Sequence, residues 1–139
     1  SVSRVAQLRR EVLSLLIEIR QKHTLEEKTS LRSGKTESVR RTIKYIKENY
    51  REKLTLDVIS RNIFCDKYTL CRDFKKMTGK TVVEYINSYR CKKAFELITE
   101  GKSVFESAEE CGFNNMSFFT KMFKRYIGTL PSQCKKDRI

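Results

Sequence analysis

The chain has 139 residues, 39% of them hydrophobic and a single one proline, which is enough for one domain or two small ones with a helix-rich core. Its 30 Lys+Arg against 17 Asp+Glu give a formal charge of +13 and an isoelectric point near 9.7, which favours a polyanion, nucleic acid or an anionic membrane, as partner. No apolar run approaches a bilayer span, and residues 1–22 interleave charge with leucine, so neither a spanning helix nor a signal peptide is visible and no membrane partner is expected.

Residues 1–22 read as a helix. Val5, Leu8, Val12, Leu15 and Ile19 fall on alternating steps of three and four, the a and d positions of a heptad, with Leu16 widening the stripe. The stripe is either the seam of a homodimer or the face by which the helix packs on its own domain. From His23 to Thr36 the chain turns polar, with Ser30, Ser33 and Gly34, and reads as a linker or exposed loop. Thr36 or Ser38 starts the next helix, to about Tyr50. Val39, Ile43, Ile46 and Tyr50 line one face of it; Arg40, Arg41, Lys44 and Lys47 line the other, as a solvated face or with one or two of them on phosphate.

Thr55 caps a short helix carrying Leu56, Ile59 and Ser60, and after a turn Asp66 caps a helix from about Lys67 to Met77 with Leu70 and Phe74 inward. Thr81 and Glu84 form a capping box for the longest helix expected here, about Val82 to Glu100, with Val82, Ile86, Tyr89, Ala94, Leu97 and Ile98 as its apolar positions. Ser103 and Glu106 form another, opening a short helix that ends in a turn at Gly112. Asn114 or Asn115 then caps a helix from about Met116 to Tyr126 that buries Phe119 and Phe123, and Gly128 and Pro131 end it.

The cysteines, Cys65, Cys71, Cys91, Cys111 and Cys134, are odd in number and lack CxxC spacing, which fits a reducing cytoplasm rather than a disulfide framework or zinc site. The single histidine, His23, sits in the polar stretch. With no constellation for nucleophilic, acid–base or metal chemistry, neither an enzyme nor a metal or cofactor site is expected.

Residues 55–79 and 103–128 repeat each other. Thr55-Leu56-x-x-Ile59-Ser60 answers Ser103-Val104-x-x-Ser107-Ala108, Leu70-x-x-x-Phe74-Lys75 answers Phe119-x-x-x-Phe123-Lys124, and Met77-Thr78-Gly79 answers Tyr126-Ile127-Gly128, with one extra residue in the second turn. A short helix, a tight turn and a longer helix with a basic exposed face is the helix-turn-helix pattern, against a plain helical hairpin as the alternative.

From about Val39 to Lys136 the chain resembles the DNA-binding domain of the AraC/XylS transcription regulators. Ala108, Gly112-Phe113, Ser117-Phe118-Phe119, Phe123-Lys124, Gly128 and Pro131-Ser132 stand where the family signature expects them. The resemblance implies an all-α fold of seven helices: two helix-turn-helix subdomains, about 55–79 and 103–128, joined by the long helix at about 82–100. It also implies that residues 36–139 are the DNA-binding domain. Residues 1–35, a linker and dimerisation segment, would join it to an effector-binding domain that lies outside this chain, which reads as a C-terminal fragment. Both second helices would enter successive major-groove segments of double-stranded DNA. Carried over by position, Lys67, Tyr68, Cys71 and Arg72 of the first, and Asn115, Met116, Ser117, Thr120 and Lys121 of the second, would face the groove. Arg72 is the candidate for bidentate guanine contact, and Tyr68 and Met116 for thymine methyls. Lys75, Lys76, Lys124 and Arg125 would touch phosphate. The chain departs from the pattern at Phe64, where the family places Gly, and at Ser60, Asp73 and Ser107, where it places apolar residues.

The expected function is therefore a sequence-specific bacterial transcription regulator in the cytoplasm, an activator with RNA polymerase as protein partner. The competing classes are a sequence-indifferent nucleic-acid binder driven by charge and a protein-interaction module centred on residues 1–22.

Overall fold

The computed structural model describes residues 29–136, which form seven helices and no strand: α1 Thr29–Asn49, α2 Leu56–Ile63, α3 Lys67–Thr78, α4 Val82–Thr99, α5 Val104–Glu110, α6 Met116–Ile127 and α7 Pro131–Lys136. The heptad of residues 1–22 lies outside them. Two boundaries differ from expectation. Helix α1 begins at Thr29, so part of the polar stretch assigned to a linker is helical. Ser38 Oγ donates backward to Gly34 O at 2.9 Å instead of breaking the helix, and one interior glycine costs a helix only about 1 kcal/mol. Pro131 ends nothing; it opens α7, where its missing N–H has no partner to lose.

The described residues gather into two units, one running to Ile46 and taking in Thr55–Val82, the other made of Lys47–Leu54 and the chain from Val83 on. In the first, Val39, Ile43 and Ile46 of α1, Ile59 and Ile63 of α2 and Leu70 and Phe74 of α3 are buried, the i, i+3/i+4 pattern of each helix turned inward. Each full burial is worth about 1.5–3 kcal/mol. Three polar residues join them: Thr42, whose Oγ1 donates to Ser38 O at 2.8 Å, Ser60, whose Oγ donates to Asp57 O at 3.1 Å, and Asp73, with Arg72 Nε 3.7 Å from its carboxylate.

The second unit is built on aromatics. Phe119 packs against Phe113 at 4.9 Å and Phe123 at 5.4 Å between ring centroids, with Cys91, Ala94, Ile98, Ala108 and Met122 filling around them. Burial pushes the Cys91 thiol up to about 12 and the Cys111 thiol up to about 11, so both stay neutral and behave as small apolar side chains. Arg90 ties the loop after α1 to α4, Nε donating to Tyr50 O at 2.8 Å and Nη2 to Glu52 O at 2.7 Å.

Candidate nucleic-acid interface

Each unit contains a packed helix pair, α2 with α3 and α5 with α6. Local chemistry sets their ends. Thr55 Oγ1 accepts the Val58 N–H at 3.1 Å and Ser103 Oγ the Glu106 N–H at 3.1 Å, opening the short helices. Asp66 Oδ2 accepts the Thr69 N–H at 3.0 Å and Asn115 Oδ1 the Phe118 N–H at 2.9 Å, opening the long ones. Asn115 rather than Asn114 is thus the cap of α6.

The turns carry the repeat down to the hydrogen bonds. Phe64 N–H reaches Arg61 O and Cys65 N–H reaches Ser60 O; Gly112 N–H reaches Glu109 O and Phe113 N–H reaches Ala108 O. Both are the three-back, five-back closure that needs a left-handed residue, and that residue is Phe64 at φ 56° in one and Gly112 at φ 96° in the other. Phe64 keeps the family's turn geometry without its glycine, at a cost of roughly 1–2 kcal/mol for a side chain held left-handed. Its ring is 89% exposed and recovers nothing by packing.

Helices α3 and α6 each run 12 residues and end alike. Lys75 Nζ donates to Gly79 O at 3.0 Å and Lys124 Nζ to Gly128 O at 3.4 Å, so two of the three lysines expected on phosphate hold the helix C-terminus in the free chain.

On α3, Tyr68 and Arg72 are well exposed and Cys71 half-buried. Lys67 Nζ lies 3.2 Å from the Asp57 carboxylate of α2, which raises its pKa, and 5.6 Å from the Tyr68 ring centre. It enters any interface already paired. On α6, Ser117, Lys121, Lys124 and Arg125 are exposed, as is Asn115 before it. Thr120 is half-buried and its hydroxyl donates to Met116 O at 2.9 Å, leaving its oxygen to accept. Met116 packs partly on the core of its unit. Of the expected residues, Tyr68, Arg72 and Lys75 on α3 and Ser117, Lys121, Lys124 and Arg125 on α6 are exposed, away from the buried Leu70, Phe74, Phe119 and Phe123, while Lys67, Cys71, Met116 and Thr120 are half-buried.

Sequence reasoning noted Phe64 as a departure but not that its ring stands in solvent. It also missed an open cleft of about 360 Å³ beside the second turn, lined by Phe105, Glu109, Gly112, Phe113, Asn114 and Met116. No described helix is long and apolar enough to cross a membrane.

Residues 59–137 match the model of a family described as a helix-turn-helix domain, the AraC type. The chain belongs to the AraC-type helix-turn-helix family of DNA-binding transcription regulators. A response regulatory protein of Staphylococcus epidermidis whose function is not characterised is 34% identical over 99 residues, 70% of this chain and 39% of that protein. The chain thus spans about two fifths of the length of such curated relatives. Among solved structures, the C-terminal domain of AraT, a response regulator from Geobacillus stearothermophilus, superposes with a TM-score of 0.68 at 27% identity, over 73% of this chain and 86% of that one. The DNA-binding domain of AdpA, solved with a target DNA, superposes with a TM-score of 0.66 over 71% of this chain and 90% of its own. At 22% identity, that match is one of fold.

Proposed function

We propose that this chain is the DNA-binding part of a sequence-specific bacterial transcription regulator, with α3 and α6 as recognition helices in successive major-groove segments of double-stranded DNA. The observation that carries the reading is the duplicated helix pair, each copy with capped ends and a strip of exposed polar and basic side chains on its second helix. A binder driven by charge alone has no need of two such matched helices. Arg72 is the guanine reader, and Lys75, Lys124 and Arg125 are phosphate contacts, the lysines exchanging a backbone carbonyl for a phosphate oxygen on binding. Family membership supports activation through RNA polymerase as the regulatory output. It likewise supports 36–139 as the DNA-binding domain and an effector domain carried by a longer protein. The heptad of residues 1–22 supports a homodimer, which sedimentation of the full chain and a Leu8→Asp/Leu15→Asp variant tests: dimer for the first, monomer for the second.

Selection of bound fragments from random double-stranded DNA tests the core of the reading and should return one preferred sequence. On it, affinity should fall roughly 10³–10⁵-fold between about 50 and 200 mM salt if six to ten phosphates are neutralised. Arg72→Ala should cost about 1–3 kcal/mol and relax one base position, while Lys124→Ala should weaken every sequence alike and lower the salt slope by about one. Equal, sequence-independent losses for both would leave a generic basic surface as the account.

A further inference from the structure

We infer that Phe64 is a DNA contact, an apolar reader of a thymine methyl at the edge of the segment covered by α3; this rests on the recognition-helix reading above. Phe64 is the one non-glycine residue among those described with positive φ, and its ring is 89% exposed. A bulky side chain held in an unfavourable backbone region with no packing in return contributes nothing to the fold, and such outliers mark function. The ring stands two residues before Asp66, the cap of α3, beside the part of a helix-turn-helix that approaches base edges.

Its neighbourhood selects the occupant. Arg61 in the last turn of α2 and Arg72 on α3 are exposed, Lys67 opens α3, and Tyr68, one residue further, is 77% exposed. An exposed apolar ring in a segment with Arg61, Lys67 and Arg72 against Asp66 fits a polyanion that also presents apolar groups, and in the major groove that group is the thymine C5-methyl. A second copy of this chain, at +13, would bring like charge against the same surface.

The test uses the full chain and Phe64→Gly, which keeps the left-handed turn and removes the ring, so the variant folds at least as well. The probe is the duplex selected by the wild-type chain, with each thymine replaced in turn by deoxyuridine, which lacks the methyl. At one position beside the bases read by α3, the replacement should weaken wild-type binding about fourfold, the worth of one buried methyl. It should leave Phe64→Gly unaffected, and that variant should bind the parent duplex at least fourfold more weakly than wild type. Equal affinities of variant and wild type for the parent duplex overturn the proposal, as does a deoxyuridine effect identical in both. A loss of self-association in the variant with DNA binding intact assigns the ring to a second copy and also overturns it. Failure of the recognition-helix reading has its own signature: the wild-type chain selects no sequence, and the proposal falls with it.

Discussion

In the first unit the turn between α2 and α3 is closed by a phenylalanine whose ring stands in solvent. In the second, the same turn between α5 and α6 is closed by Gly112, and the chain packs so tightly around it that a Cβ would lie 2.8 Å from Tyr50 O and 3.0 Å from Arg90 Nε. One backbone hydrogen-bond pattern therefore serves two packing situations. Where the turn faces solvent, a side chain costs only local strain. Where α4 and the loop after α1 close over it, a side chain has no room. Glycine at this position is thus required by its neighbours in the second unit and only preferred by the backbone in the first.

The sharpest way to break that contrast is Gly112→Ala. It adds left-handed strain and drives a methyl into the carbonyl that Arg90 holds, which should destabilise the protein by about 3 kcal/mol. Phe64→Ala, at the equivalent backbone position, should change stability by less than about 0.5 kcal/mol, since the turn stays strained and no packing is lost. Urea unfolding of both variants decides it; similar losses would mean that the second turn relaxes around its new side chain.

A smaller effect with opposite signs comes from two serines at positions that the family fills with apolar residues. Ser60 Oγ donates to Asp57 O at 3.1 Å, whereas Ser107 Oγ is buried with no partner. Ser60→Ala should cost about 0.5–1.5 kcal/mol, and Ser107→Ala should stabilise by about 1 kcal/mol, because it removes an unpaid desolvation and leaves a methyl among apolar neighbours. Destabilisation by Ser107→Ala would show that the hydroxyl does have a partner.

These residues also mark what the sequence makes legible. Helices α2 to α6, their caps Thr55, Asp66, Ser103 and Asn115, and the inward Leu70, Phe74, Phe119 and Phe123 follow from period and cap chemistry, which act within a few residues. The duplicated units follow from the repeat. The helical start at Thr29 was hidden because serine and glycine signal loops whether or not the helix continues through them. The burial of Cys91 and the pairing of Lys67 with Asp57 were hidden for another reason: both depend on a neighbour from another helix. So does the difference between Phe64 and Gly112, since local sequence says that a turn needs positive φ but not what stands over it.

The smallest effect concerns the caps of the two long helices, one of which titrates. Asp66 accepts the backbone N–H of Thr69, which with that residue's hydroxyl holds its carboxyl below the usual 3.8. Asn115 makes the same bond to Phe118 with a neutral amide. A carboxylate with a depressed folded pKa stabilises the fold above its unfolded value, and that contribution is lost as pH falls below about 3.8 through the lower folded value. Acidification through this window should therefore weaken the start of α3 and leave the start of α6 untouched. Amide exchange, corrected for its intrinsic pH dependence, reads the two ends separately: protection at Thr69 should drop relative to Phe118. In Asp66→Asn, which gives the first unit the second unit's cap, the difference should vanish. A drop at Thr69 that survives the substitution would place the acid-sensitive group elsewhere than at this cap.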